Sequence, residues 1–346
     1  MSLSIPTGCG IPGHLKLLTL IVSALLASPV FAADALPVPD AVKPYLNPSY
    51  FRVPPEMTYR EITRYLNQHS LREGKRVRPL LCHLAAGLLG AAPGGAGVVE
   101  LSCVVEWVHS ASLIHDDVID RSTTRRGKPS LWKRTTPTKA VLIGDWLQAT
   151  ALEIAIEMEE PHHGRAILDT IKDMARGEVV QSQILKKKTY TLEDWKLVSQ
   201  FKTGVLFAWA LTAPAHELGL APDVAPALRE LGLTLGRLFQ AQDDLQDALD
   251  ERGEVNVVLL KAAEIEGISP LAKKFKPESL REASEATLEM LRAEALGAEK
   301  LVLDISDDFA RRARAEEFEP KDPQHQIDCK QALIDFTRLL AKPPKV

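Results

Sequence analysis

The chain has 346 residues and a formal net charge of −4, and 45% of its residues are hydrophobic whereas only 5% are aromatic. A chain of this length without a long linker indicates one large domain. The near-neutral charge gives no electrostatic footprint for nucleic acid, so we expect no nucleic-acid partner.

The N-terminus carries an apolar run over 17–31, after Lys16, that ends in small residues. This pattern is typical of a secretory signal peptide, and an uncleaved anchor or a mis-assigned start are the alternatives. We divide the chain into a signal-peptide-like or anchor segment (1–33), a proline-rich lead-in (34–56) and an all-α domain (57–346). The prolines of the lead-in predict an extended conformation.

From there on, apolar residues recur three and four positions apart, which is the spacing of helices. After a short helix around Ile62, Tyr65 and Leu66, we predict helices over 77–89, 98–120, 139–158, 164–185, 192–212, 224–249, 255–265 and 277–295. Several of these segments are apolar on more than one face, so they must pack as a bundle with enclosed central members.

The otherwise apolar segment 98–120 ends in an acidic cluster, Asp116, Asp117 and Asp120. Asp116 and Asp120 are four residues apart, so both carboxylates leave one face of the helix and can share a cation. Carboxylate oxygens favour Mg²⁺, whose shell is commonly completed by water and substrate phosphates.

A second cluster, Asp243, Asp244 and Asp247, repeats this spacing at the end of another apolar segment. One acidic run alone would more often cover a solvated face. Two such clusters in one bundle instead predict a cavity in which a diphosphate is bridged by several Mg²⁺ ions, because facing carboxylates would otherwise repel each other.

Two basic segments can hold a second, metal-free diphosphate: residues 74–79 (GKRVRP) and residues 125–129 (RRGKP). Arginine presents a planar fork to phosphate oxygens and lysine a compact charge, so the mixture suits diphosphate binding.

These motifs, in this order, resemble those of trans-type (E-) polyprenyl diphosphate synthases, from about Tyr59 to Leu260. The matching stretches are GKRVRP (74–79), HSASLIHDD (109–117), RRGKP (125–129), GD (144–145), KTG (202–204) and FQAQDD (239–244). The resemblance implies an all-α, single-domain helical bundle around a central cavity, usually homodimeric. It also implies Mg²⁺, with three ions beside a bound diphosphate.

The resemblance assigns roles to individual residues. Asp116, Asp120 and Asp243 would be the principal Mg²⁺ ligands, supported by Asp117, Asp244 and Asp247. Isopentenyl diphosphate would be held by Lys75, Arg78, His109 and Arg126, and the allylic diphosphate by Arg125 and Lys202, with Thr203 and Gln240 as further substrate-binding residues and Gln181 as a polar group of the pocket. Lys202, Arg125 and Gln240 would act in catalysis.

The implied reaction is the head-to-tail condensation of isopentenyl diphosphate with an allylic prenyl diphosphate. Product length is expected to depend on Ala111 and Ser112, about one helical turn before Asp116. Short-chain enzymes of the family carry an aromatic residue there, whereas both residues are small in this chain. We therefore predict products longer than fifteen carbons, although Trp107 and Val108 lie one turn deeper.

The chain departs from the family pattern in two places. Glu73 replaces a glycine, and the lysine-containing stretch that usually follows the second cluster is absent, with Lys261 as the candidate to replace its lysine. The spacing of Asp243, Asp247 and Glu251 also resembles a class I terpene cyclase, although a cyclase needs no site for isopentenyl diphosphate. An inactive partner subunit is the third alternative, and the retention of all six aspartates counts against it.

The nature of the substrates favours a cytoplasmic catalytic domain, and the hydrophobic product favours association with a membrane surface. The signal-peptide-like N-terminus conflicts with a cytoplasmic location.

Overall fold

The computed structural model describes residues 36–53, 60–67, 71, 74–95, 97–187, 189–248, 255–272, 274–315 and 319–343. Within these ranges the regular structure is helical apart from one hairpin of two short strands. The predicted all-α, single-domain fold is confirmed. The α-helices, numbered α1 to α12 in chain order, are Arg60–Tyr65, Val77–Leu88, Val98–Ile119, Leu131–Arg134, Pro137–Glu157, His162–Lys187, Leu192–Ser199, Val205–Glu217, Ala221–Asp247, Val257–Glu266, Pro277–Ala315 and Pro323–Leu340.

Helix α8 lies at the centre of the bundle and packs against α2, α3, α6 and α9. Its sequence is almost entirely apolar, and residues such as Leu206, Phe207 and Leu211 are fully buried. A helix that is apolar on all sides has to be enclosed by others. Among the elements around α8, α3 and α9 carry the two acidic clusters and α2 carries part of the first basic segment.

Two glycines of α9 allow it to approach α8 closely. A Cβ atom on Gly232 would stand 2.4 Å from the Cα of Ala208, and one on Gly236 would stand 2.4 Å from the Cα of Gly204. Both distances are far shorter than a carbon–carbon contact allows. Glycine is therefore required at both positions for the second acidic cluster to stand beside the segment that contains Lys202.

The predicted helix 192–212 is interrupted. It consists of α7, a π-helical turn over Gln200–Gly204, and α8.

The C-terminal part contains more helix than predicted, because α11 continues to Ala315 and α12 follows it. The apolar stripe of α11 is narrow and its other faces are charged, which explains why its second half was missed.

The proline-rich lead-in is not extended, since it forms two 3-10 helices, Lys43–Leu46 and Pro48–Phe51. Phe51 is fully buried, and its carbonyl oxygen accepts a hydrogen bond of 2.9 Å from the indole nitrogen of Trp107. The apolar N-terminal run and the expected domain start at Met57 lie outside the described residues. No helix in the described ranges is both long enough and apolar enough to span a membrane.

Candidate active site

A cavity of about 760 Å³ opens among the start of α2, the second half of α3, the hairpin, the π-helical turn and α9. Most of the residues singled out in the sequence line it. They are Lys75, Arg78, His109, Ser112, Asp116, Arg125, Arg126, Lys202, Thr203, Gln240 and Asp243. Residues spread over about half of the chain therefore converge on one cavity.

The first basic segment is held in place by Arg76. This residue has a left-handed backbone (φ 52°), its guanidinium pairs with buried Glu106 and the carbonyl oxygen of Leu71, and it lies 4.7 Å from the centroid of the Phe51 ring. The neighbouring Lys75 also lines the cavity. Burial lowers the pKa of Lys75, while Asp243 acts in the opposite direction.

Arg78 is a buried cation that is not fully hydrogen-bonded. Its guanidinium lies 5.0 Å from the centroid of the Phe207 ring, and its Nε has no hydrogen-bond partner within the described residues. Burial lowers the pKa of Arg78 to about 10, so the side chain is still charged at neutral pH. A buried guanidinium with a spare donor is suited to an anion.

The second basic segment forms the hairpin between α3 and α4, with strands β1 (Thr124–Arg125) and β2 (Lys128–Pro129). Arg126 and Gly127 have positive φ angles of 51° and 72°, as a two-residue type I′ turn requires. The guanidinium of Arg125 donates two hydrogen bonds to Oδ1 of Asp117, at 3.0 and 2.6 Å. The hairpin is thus fixed to the end of α3.

His109 is surrounded by cationic side chains. Burial lowers its pKa well below the usual value, and Arg78, Arg126, Arg125 and Arg76 lower it further. The imidazole is therefore neutral at pH 7, where it can donate one hydrogen bond without adding to the positive charge.

Lys202 is presented by the π-helical turn. Its Nζ lies 2.8 Å from Oε1 of Glu178 and donates a hydrogen bond of 3.0 Å to Oε1 of Gln181. The next residue, Thr203, donates to Oε1 of Gln240 at 3.0 Å. Single π-helical turns occur frequently at functional sites. Glu178 was not predicted, although it stands three residues before Gln181 on the same face of α6.

The leading aspartates of the two clusters both line the cavity. Burial raises the pKa of Asp116 to about 7, with Glu178 adding to the effect and Lys202 opposing it. Burial likewise raises the pKa of Asp243 to about 7, with Lys75 opposing and Asp244 adding. The side chains nearby do not offset the cost of burying either carboxylate. Buried carboxylates that are not neutralised by the protein are expected where carboxylates bind cations.

The structure permits Mg²⁺ but does not enclose it. Among the described residues no group of three His, Cys, Asp or Glu side chains stands close enough to hold a metal ion. A pair of carboxylates whose other ligands are water and phosphate suits Mg²⁺, which usually keeps several waters. The two outer aspartates, Asp120 and Asp247, are exposed at the helix ends, and they raise the pKa of Asp116 and Asp243 respectively.

The second aspartates are placed differently from the first. Asp117 is buried and binds Arg125, as described above. Asp244 is buried as well, and its carboxylate accepts hydrogen bonds from the indole nitrogen of Trp195 (2.8 Å), the backbone N–H of Val257 (2.8 Å) and the amide of Gln240 (3.0 Å). Neither side chain stands among the residues that line the cavity.

A second cavity of about 400 Å³ continues from the first between α3, α5 and α6. Ser112, Asp116 and Lys202 line both cavities. The remaining walls of the second cavity are mostly apolar and consist of Val108, His115, Ile119, Gln148, Ile171, Met174, Ala175, Glu178 and Val179.

The two residues expected to control product length are separated by this arrangement. Ser112 lines both cavities, whereas Ala111 is fully buried in the core and lines neither of them. The lining residues of α3 lie three or four positions apart, and Ala111 falls at the edge of that face. At this depth of α3, Ser112 and Val108 line the second cavity and Ala111 does not.

Lys261 lies on α10 and does not line either cavity. Residues 249–254, which include the Glu251 of the cyclase-like spacing, lie outside the described part of the chain.

The sequence matches the polyprenyl synthetase family over residues 59–258, more than half of the chain. The chain belongs to this family. Among curated relatives, the chain is 36% identical to solanesyl-diphosphate synthase 2, chloroplastic, of Oryza sativa subsp. japonica over 181 residues, 50% of this chain and 44% of the relative. It is 32% identical to octaprenyl diphosphate synthase of Escherichia coli, over 50% of this chain and 53% of the relative. The match to (2E,6E)-farnesyl diphosphate synthase of Mycobacterium tuberculosis is 33% identical and covers 50% of this chain and 48% of the relative. The chain spans about half the length of the curated relatives it matches.

Solved structures resemble the whole fold. A decaprenyl diphosphate synthase from Rhodobacter capsulatus superposes with a TM-score of 0.65 at 23% identity, covering 96% of this chain and 99% of the other. A polyprenyl synthase from Caulobacter crescentus, complexed with calcium and isoprenyl diphosphate, has a TM-score of 0.62 at 25% identity and covers 98% and 100%. The fold of the family therefore extends beyond the matched residues into the C-terminal helices.

Proposed function

We propose that this member of the polyprenyl synthetase family condenses isopentenyl diphosphate head to tail with an allylic prenyl diphosphate and depends on Mg²⁺. The observation that carries the proposal is the convergence of Asp116 and Asp243 with both basic segments on one cavity. The names of the curated relatives and the diphosphate in the Caulobacter crescentus structure support it.

The allylic diphosphate is assigned to the acidic side of the cavity. Asp116, Asp120, Asp243 and Asp247 would hold Mg²⁺, which would supply positive charge for the departing diphosphate. Lys202 stands where the two cavities meet, so its Nζ can donate to a diphosphate whose hydrocarbon chain enters the second cavity.

Isopentenyl diphosphate is assigned to the basic side, formed by Lys75, Arg78, His109 and Arg126. Arg78 offers a buried positive charge, and neutral His109 offers a hydrogen bond. These groups need no metal ion, because they already provide the charge and the donors that a diphosphate requires.

In the proposed reaction, the bond between C1 of the allylic chain and its diphosphate oxygen breaks, and the electron pair leaves with the diphosphate. The double bond of isopentenyl diphosphate attacks C1, and the proton lost from its C2 goes to the released diphosphate. Thr203 and Gln240 hold each other at 3.0 Å on the cavity wall and so keep the Lys202 turn in register with α9. The apolar walls keep water away from the carbocation.

Products longer than fifteen carbons are supported by the second cavity. Ser112 is small and stands at its entrance, and the apolar Val108, Ile171 and Met174 line its walls. An extended isoprene unit is about as long as one helical turn of 5.4 Å, so each turn of α3 that stays open admits about one further unit.

We also propose a homodimer. Helices α5 and α6 expose large apolar side chains outside the two cavities, namely Leu142 (61% exposed) and Ile156 (63%) on α5 and Leu168 (39%) on α6. Exposed apolar side chains on adjacent helices are typical of an interface. A cytoplasmic catalytic domain that associates with membranes is proposed from the nature of the substrates and product.

The test uses purified protein with labelled isopentenyl diphosphate and allylic primers of ten to twenty carbons, with Mg²⁺ or with EDTA. We expect elongated prenyl diphosphates only with Mg²⁺. Cyclic hydrocarbons formed from the primer alone would identify a cyclase, and the absence of turnover with every primer would identify an inactive partner subunit. Sedimentation at several protein concentrations tests the dimer.

A further inference from the structure

We infer that the lead-in before the bundle is part of the active-site structure. Phe51 of the lead-in does not line the cavity, but it acts through Arg76 as a positioning residue for the side assigned to isopentenyl diphosphate. This inference rests on the proposed function, which makes that assignment. It adds a segment outside the cavity to the groups that determine substrate affinity.

Arg76 shapes the first basic segment. Its backbone is left-handed, with a φ of 52°, and it is the N-cap of α2, so the chain changes direction at this residue. A residue other than glycine keeps such a conformation only when its surroundings hold it there. Lys75 precedes this turn and Arg78 lies in the first turn of α2. The placement of these two cations relative to each other therefore depends on Arg76.

The side chain of Arg76 is held from three directions. Its guanidinium forms an ion pair with the carboxylate of Glu106 and donates to the carbonyl oxygen of Leu71, and its Cζ lies 4.7 Å from the centroid of the Phe51 ring. Both side chains of the ion pair are only 4% exposed. An aromatic face attracts a guanidinium, and it does so more strongly where both are removed from water. Phe51 therefore helps to fix the guanidinium that shapes the basic segment.

Phe51 is itself attached to α3. Its side chain is fully buried, and its carbonyl oxygen accepts a hydrogen bond of 2.9 Å from the indole nitrogen of Trp107, the residue after Glu106. One turn earlier in α3, the thiol of Cys103 donates to the carbonyl oxygen of Tyr50 at 3.1 Å. The same stretch of α3 thus binds the lead-in and supplies the carboxylate of the ion pair. This arrangement keeps the aromatic ring aligned with the guanidinium.

The surroundings of Arg76 extend to both basic segments. Arg76 and Glu106 line the cavity. A Cβ atom on Gly74 would stand 3.4 Å from Nη1 of Arg76 and 3.3 Å from Nη2 of Arg126, so Gly74 lies between one guanidinium from each segment. A displacement of Arg76 would therefore disturb both segments. Lys202, on the allylic side, is held by side chains of α6, so the effect on the allylic substrate should be small.

Glu106 allows positioning to be separated from a direct effect of charge. Burial lowers the pKa of Arg78 to about 10 and Glu106 opposes this effect, so the negative charge of Glu106 acts on the proposed diphosphate site. If only that charge mattered, E106Q would make the basic side more positive and would lower the KM for isopentenyl diphosphate. If Glu106 holds Arg76 in place, the same substitution should raise that KM. The two effects have opposite signs.

The experiment compares the steady-state kinetics of F51L with those of F309L, at saturating Mg²⁺ and with each substrate varied in turn. Phe309 is buried against Gly90, beyond the opposite end of α2 from Arg76, so F309L is a matched loss of a buried ring. F51L should raise the KM for isopentenyl diphosphate about fivefold, with less than about a twofold change in kcat and in the KM for the allylic primer. F309L should lower the unfolding temperature by a similar amount and leave both KM values unchanged.

E106Q and R76K test the two members of the ion pair. E106Q should raise the KM for isopentenyl diphosphate about tenfold, because a hydrogen bond between two charged groups is weakened. R76K keeps the positive charge but loses the planar fork that contacts Glu106 and Leu71 together, so it should raise the same KM by a similar factor. Calorimetric titration with isopentenyl diphosphate in the absence of primer should show the same losses of affinity. Should E106Q not fold, F51L and R76K decide the question.

A rise in KM that is confined to isopentenyl diphosphate in F51L, E106Q and R76K would support the inference. A lower KM in E106Q, or equal changes in F51L and F309L, would overturn it and leave the proposed function intact. A wild type that neither elongates a primer nor binds isopentenyl diphosphate would overturn the proposed function, and the inference with it.

Discussion

Asp243 should destabilise the metal-free protein at neutral and alkaline pH, so replacing it with asparagine should stabilise that form. Its carboxyl has a pKa raised from 3.8 to about 7, first because it is buried and then because Asp244 and Asp247 are near. Between these two pH values the folded chain binds more protons than the unfolded chain. The free energy of unfolding therefore falls as pH rises from 3.8 to 7 and stays low above it.

The difference between the two pKa values sets an upper limit of about 4 kcal/mol above pH 7, at about 1.4 kcal/mol for each pH unit. The amide introduced by D243N would have nearly the same shape as the carboxylate and no charge, and solvent in the cavity screens part of the cost of the charge because Asp243 is only partly buried. We therefore expect D243N to be more stable than the wild type by about 2 kcal/mol at pH 8, which is half of that limit. The gain should shrink as pH falls toward 4.

The assay is urea unfolding in EDTA, followed by far-ultraviolet circular dichroism at pH 5 and pH 8 and at one protein concentration. Asp304 lies exposed on α11, and D304N is the matched control. We expect the change in the free energy of unfolding that D304N causes to be the same at both pH values. A D243N variant that is less stable than the wild type at pH 8, or whose gain is equal at both pH values, would refute the electrostatic argument.

Three further predictions concern the substrate sites, the product and the packing. K202A should raise the KM for the allylic primer about tenfold or more, since a hydrogen bond to a charged group contributes about 1.5 to 3 kcal/mol. H109A should chiefly raise the KM for isopentenyl diphosphate. Equal effects of each variant on both KM values in steady-state kinetics would refute the assignment. S112F should shorten the main product by at least one isoprene unit in radiolabelled product analysis, whereas A111F should lower the unfolding temperature instead, and the reverse pattern would show that Ala111 controls length. G236A should destabilise the fold by about 1 to 3 kcal/mol by overpacking, measured by urea unfolding, because its Cβ would stand 2.4 Å from a backbone atom of the facing segment.

The sequence predicted the members of the site better than their geometry. The i, i+4 spacing of each acidic cluster and the apolar segments before them were enough to predict that Asp116 and Asp243 would share a cavity. The π-helical turn that carries Lys202 could not be predicted, because apolar spacing does not distinguish an α-helical turn from a π-helical one. It depends on contacts such as the one between Gly177 and Phe201, where a Cβ on the glycine would stand 2.8 Å from that of Phe201.

Hydrogen bonds between segments that are distant in the chain could not be predicted from the sequence either. Trp195 and Asp244 are far apart in the chain, and only the packing of α7 against α9 brings them within 2.8 Å. The orientation of α3 about its own axis also depends on the packed structure. Ala111 and Ser112 are adjacent, so a small rotation of the helix decides which of them lines the cavity.

The opposite pKa shifts on the two sides of the cavity describe how the charges are arranged. If the acidic and basic groups were fully paired, attraction would lower the pKa of Asp243 and raise that of Arg78. The reverse is found, since burial raises the first to about 7 and lowers the second to about 10. Burial thus outweighs attraction on both sides, and each side keeps a charge that the other does not neutralise. A cation on the acidic side and an anion on the basic side would each relieve this cost, and a metal-bound diphosphate beside a metal-free diphosphate provides both.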